Sequence, residues 1–196
     1  MLKNVKIFKF TIKEKNMSNH TTYASSPGML RIDEEKYNDL IEFMKLNKKQ
    51  QIKLNEKRNM IADHLFNGDT MPAIVVSTNP LIISSYSDEL DAVVMLEFPK
   101  EYQQKYQLQE NMRLVTINGY TKSLFGRPKD IKLGYRYLHR WTNVYPTVGL
   151  FLSNNIERIN QLIENVPEPL WDYVKELSDE YIQNYKFKPR KGFWFI

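Results

Sequence analysis

Three short apolar runs dominate the middle of the chain. PAIVVS, LIISSY and AVVMLEF follow one another between residues 72 and 98, separated only by TNP and SDELD. They are rich in branched side chains and lack the apolar–polar alternation of a half-exposed strand, so both faces are expected to be covered. The connections are too short for a helical crossover, which predicts an antiparallel meander. Pro72, Pro80 and Pro99 are expected at strand ends, where a missing amide proton does least harm.

On either side of this block the period changes. Asp33 can cap a helix, Glu34 and Glu35 suit the positive end of its dipole, and Tyr37, Leu40, Ile41 and Met44 follow at three- and four-residue spacing. The polar stretch NKKQQIKLNEKRN then intervenes before Met60, Ile61 and Leu65 resume the stripe. This predicts either one helix as far as Phe66 or a break near Asn47, with Gly68 as the stop. EYQQKYQLQ reads as a helical turn or loop. In RLVTINGYTKSLF, Asn118 and Gly119 predict the tip of a type I′ hairpin, because both tolerate positive φ. IKLGYRYLHRW and TVGLFLS supply further strand candidates.

Two more helices follow: NIERINQLIENV, ending before Pro167, and EPLWDYVKELSDEYIQNY, with Leu170, Tyr173, Val174, Leu177 and Tyr181 on one stripe. At the other end, residues 5–12 read as a strand of mixed faces and 13–32 as loop. The order of elements predicts an α+β fold in a single domain over 1–196. Its mainly antiparallel sheet has about five to seven strands, with an N-terminal helical segment and two C-terminal helices. The terminal FWFI is costly to leave in water, at roughly 1.5–3 kcal/mol per large side chain, so it is expected to pack on the body or on a partner.

Composition narrows the class. Hydrophobic residues make up 42% and charged residues 26%, the balance of a folded soluble protein. The absence of cysteine removes disulfides, thiolate nucleophiles and thiolate metal sites. Lys3, Lys6, Lys9 and Lys13 interrupt the apolar residues near the N-terminus, where a signal peptide would need about 7–15 uninterrupted apolar residues and a membrane span roughly 20. The chain therefore reads as cytoplasmic, without a membrane partner, and Met17 is an alternative start to Met1. The net charge of +5 lies in the second half of the chain.

Two stretches carry candidate chemistry. Asp88, Glu89 and Asp91 cluster between two apolar runs. Such carboxylates can hold a hard cation, but the spacing is not that of a calcium loop, and aspartates are also good turn formers. A solvated turn or a docking surface for a basic partner fits them better. Between residues 113 and 140, seven basic residues face one acid, Asp130, with Tyr120, Phe125, Tyr135, Tyr137 and Trp141 in or just beyond the stretch. Basic groups among stacking rings suit a single-stranded nucleic acid, with Arg113, Arg127, Lys129, Lys132, Arg136, Arg140 and Trp141 as contacts. The same rings on strands more often belong to a core. The histidines, His20, His64 and His139, show no metal-ligand spacing, and no phosphate-cradling or nucleophile-elbow motif occurs.

These observations favour a small, non-catalytic intracellular protein that binds another protein, in the manner of an immunity protein or antitoxin. Asp88, Glu89 and Asp91 are then the partner surface, and no cofactor or metal is called for. Nucleic-acid binding through 113–141 is the alternative, and a hydrolase or metal-dependent enzyme the third. Pairing of the apolar tail between two copies would make a homodimer.

Overall fold

The computed structural model describes residues 24–122, 126–136, 140–184 and 188–196. The strand expected over 5–12, His20, Phe125, Tyr137 and His139 lie outside them.

The N-terminal helical segment is three helices: α1 (Glu34–Phe43), α2 (Lys48–Glu56) and α3 (Arg58–Asn67). Asp33 caps α1 by accepting from the Lys36 amide. The break falls at Asn47, whose side chain and that of Gln50 form a reciprocal capping box that starts α2. A second break follows at Lys57. Gly68 ends α3, and a side chain there would collide with Ile117 and the His64 carbonyl, each 2.6 Å from the position of a Cβ.

The sheet contains β1 (Asp69–Thr78), β2 (Leu81–Ser87), β3 (Ala92–Phe98), β4 (Arg113–Thr121), β5 (Lys132–Leu133), β6 (Asn143–Val148) and β7 (Arg190–Lys191). The spatial order is β5-β3-β2-β1-β4-β6, all antiparallel, and β7 adds in parallel beside β3. The remaining helices are α4 (Lys100–Tyr106), α5 (Ile156–Glu164) and α6 (Glu168–Asn184), with a 3-10 turn at Gly149–Phe151. This is the expected α+β fold with helices at both ends of the chain.

Two expectations are corrected. Asn118 and Gly119 are not a hairpin tip but lie inside β4, paired with Asp69 and Pro146 (Asn118) and with Tyr145 (Gly119). Local turn chemistry loses here to pairing with a neighbour on either side, and the buried Asn118 amide donates to the Tyr86 carbonyl at 2.8 Å. Pro72 is not at a strand end either: it sits within β1, opposite Val115. Pairing with β2 begins only at Ala73, so at Pro72 β1 is bonded on the β4 side alone.

The three apolar runs are covered on both faces, as their lack of alternation implied. Against one face lies α6, whose Trp171, Val174, Leu177 and Tyr181 pack with Met71, Tyr86, Val93 and Met95. The opposite face is covered by the other helices and the C-terminal tail. The tail packs in cis: Phe193 and Phe195 are buried, Phe193 edge-on to Phe98 at 5.3 Å. Arg190 pairs with Asp130 and donates to the Val144 carbonyl of β6 at 2.8 Å. Trp194 donates to Thr147 of the same strand at 3.0 Å. The tail thus bridges the β3 side of the sheet to its β6 edge, which also carries Pro146.

Candidate functional surfaces

The acidic cluster forms the turn between β2 and β3. Leu90 is buried, so its neighbours Glu89 and Asp91 turn different ways. Asp91 adopts a left-handed conformation (φ 41°) that aspartate tolerates. Its carboxylate is buried and accepts from the Tyr86 hydroxyl at 2.8 Å, the Tyr173 hydroxyl at 3.0 Å and the Arg136 amide. Burial, with the Asp91 hydrogen bond second, holds the Tyr86 hydroxyl well above the ordinary tyrosine range. Asp91 therefore joins the turn, α6 and the loop after β5.

Glu89 is half-buried and accepts from Trp141 Nε1 at 3.1 Å, with Arg140 at 3.5 Å. Trp141 in turn stacks on Tyr120, centroids 6.0 Å apart. One end of the basic stretch thus lies against the acidic turn, and the two partly neutralise each other. Asp88 is exposed as a residue, but its carboxylate accepts from the Glu89 amide at 2.7 Å and lies 3.5 Å from the Tyr120 hydroxyl, and desolvation there raises it above the ordinary range. Of the three carboxylates expected on a partner-facing surface, Asp88 is exposed, Glu89 half-buried and Asp91 buried.

Asp69 was not legible in the sequence. It opens β1 directly opposite Asn118, is buried, and accepts from the Ser26 amide at 3.4 Å. Burial pushes its carboxyl up to about 7, and the nearby Asp88 and Glu89 charges add to the shift.

The basic candidates do not form one stripe. A strand rising about 3.4 Å per residue puts roughly 27 Å between Arg113 and Thr121, at opposite ends of β4. Arg113 forms a two-pronged pair with Glu168, both contacts 2.6 Å, and lies over the Trp171 ring. Lys132 pairs with Glu180 at 2.9 Å. Arg140 and Trp141 lie at the far end of β4, beside Glu89. Arg127 and Lys129 are exposed before β5 and Arg136 after it, next to Tyr135, which is 77% exposed.

Other buried titratable groups serve the fold. His64 Nε2 contacts the Ile117 carbonyl at 2.8 Å, and burial pulls its pKa down to about 4, so it is neutral at pH 7. Lys36 donates to the carbonyls of Leu150 and Ser153 at 2.8 and 2.7 Å, tying α1 to the 3-10 turn. Among the described residues, no group of three or more histidine or acidic side chains converges to hold a metal ion, and no helix is long and apolar enough to cross a membrane.

The outer face of α6 is different in kind. Glu168, Asp172, Glu176 and Glu180 recur every fourth residue, Asp179 lies beside them, and Lys175 is the only base on the helix. Arg113 and Lys132 pair with the first and last of the four. Among the described residues, no ion pair holds Asp172 or Glu176.

Compared with protein families, curated proteins and solved structures, the chain matches none.

Proposed function

We propose that the protein acts without catalysis, by binding a basic protein partner through the outer face of α6, in the manner of an immunity protein or antitoxin. The observation that carries this is the acidic column Glu168–Asp172–Glu176–Glu180 on a chain whose net charge is +5. Like charges one helical turn apart destabilise a helix by about 0.2–0.5 kcal/mol per pair. Internal cations relieve the two ends of the column and leave its middle exposed, so a partner carrying lysine or arginine would relieve that repulsion. Charge complementarity of this kind gives fast, selective encounter.

Tagged protein passed through its native extract should retain a stoichiometric protein partner, with or without nuclease. Replacing Asp172→Lys together with Glu176→Lys should release it. A second reading has its own support: the exposed Tyr135 ring beside Arg136, with Arg127 and Lys129 exposed on the segment that precedes β5, suits a stacked, single-stranded nucleic acid. Material lost on nuclease treatment, and binding that falls steeply with salt, would favour it and count against the first.

A further inference from the structure

A buried polar site gathers at the start of β1, and Pro72 is the reason. Ala73 pairs with Ser85, so the next residue of β2, Tyr86, falls opposite Pro72, which has no amide proton to offer. The Tyr86 carbonyl is satisfied instead from beyond β1, by Asn118 Nδ2 of β4 at 2.8 Å. The Ser85 and Thr116 hydroxyls span the same two strands at 2.8 Å. With Nδ2 committed in this way, the Asn118 amide keeps one orientation. Its Oδ1 is left without a hydrogen-bond partner on a side chain that is 0% exposed. An unpaired buried acceptor is costly, and in a native protein it points to a bound water or ion.

The groups around that oxygen decide between the two. Directly opposite Asn118 is Asp69, and cross-strand partners project to one face. Asp69 is 3% exposed and meets the Ser26 amide only at 3.4 Å. Tyr120, two residues further along β4, shares the face. Ser87 and Asn118 are hydrogen-bonding neighbours of its hydroxyl, and Asp88 Oδ1 lies 3.5 Å away. Burial, and then the Asp69 and Asp88 charges, hold that hydroxyl well above the ordinary tyrosine range. Asp69, Asp88 and Asn118 therefore converge around one hydroxyl. Asp88 is also the charge that acts most strongly on Asp69. The adjacent Glu89 has Arg140 and Trp141, but among the described residues no base forms an ion pair with Asp69 or Asp88. Two close, desolvated carboxylates call for a positive charge, which water does not supply.

We infer that Asp69, Asp88 and the Asn118 Oδ1 hold a hard divalent cation of the calcium type. Such ions take carboxylate and amide oxygens together, and calcium accepts irregular arrangements of them. Asp88 stands on an exposed turn, where water can complete the coordination. A bound ion would tie the turn after β2 to the start of β1 and the end of β4. This goes beyond the protein-binding reading above and does not depend on it.

The test uses the full chain, stripped with EDTA, desalted and titrated with calcium chloride, followed by calorimetry and thermal unfolding. Calcium should bind one-to-one and raise Tm by about 5 °C or more once it exceeds its Kd a hundredfold. Asp69→Asn should abolish the shift. Asp88→Asn, on the exposed turn where folding is least at risk, should weaken binding by at least about tenfold, the loss of one of two charged ligands. Asp172→Asn with Glu176→Gln, on the α6 face, should leave binding unchanged. No heat and no rise in Tm at about 10 mM calcium, above the Kd of even weak protein sites, would overturn the inference. So would binding that both Asp69→Asn and Asp88→Asn retain in full, or binding that the α6 changes abolish, because the ion would then sit elsewhere.

Discussion

The turn after β2 and the outer face of α6 are both built from carboxylates, yet they direct them oppositely. In the turn, a buried leucine and a left-handed aspartate send neighbouring side chains to different depths, so Asp91 ends among tyrosine hydroxyls and Glu89 against Trp141. On α6, the helical period keeps every fourth residue on one side, and burial of Trp171, Val174 and Leu177 forces that side outward. Acidic density along a sequence therefore says little about acidic surface unless a periodic element fixes the direction.

The largest expected effect tests the inward group. Asp69 has its folded pKa raised to about 7 from an ordinary value of 3.8. The native state then holds a proton that the unfolded chain releases, so this group's contribution to stability falls as pH rises from about 4 to about 7. At about 1.4 kcal/mol per unit the change is up to about 4 kcal/mol. His64 acts with the opposite sign. Its folded pKa of about 4 lies below the ordinary 6.5, so its contribution is lost as pH falls through that window. The wild-type profile should therefore be flatter than either slope alone. Urea unfolding of Asp69→Asn across this range should show stability that climbs more steeply with pH; an unchanged profile would remove Asp69 from the inward set.

Next in size is Asp91→Ala, which strands the buried Tyr86 hydroxyl, the half-buried Tyr173 hydroxyl and a backbone amide. A loss of about 3 kcal/mol is expected by equilibrium denaturation, with Asp91→Asn recovering part of it. A loss as small as that of a surface residue would erase the contrast with α6. Glu89→Gln should cost less than about 1 kcal/mol, since its partners are half-exposed, while changing the fluorescence of Trp141. Smallest of all, Asp172→Lys with Glu176→Lys should shift stability by within about 0.5 kcal/mol. The same pair of changes should abolish partner capture. A large destabilisation would show that these carboxylates also serve the fold.

The sheet and helices were legible because their signals were periodic or chemical. Unbroken branched runs foretold strands covered on both faces, and the polar stretch after Leu46 allowed the break that the Asn47–Gln50 capping box makes. Asn118-Gly119 misled because its turn propensity is local, whereas its pairing with β1 and β6 comes from residues far away in sequence. Asp69 had no signal of its own: its burial depends on Ser26 and Asp88 arriving from other segments. The α6 column lies in the spacing of 168, 172, 176 and 180, on the side opposite the apolar stripe that predicted the helix.

Arg190, Trp194 and their neighbours bring one more consequence, for biosynthesis. They are made after every strand that they bridge, so the nascent sheet waits with both margins unsealed until these residues leave the ribosome. A ribosome that stalls shortly before residue 190 would hold all the earlier strands without the residues that bridge them, at the stage when holdase chaperones matter most.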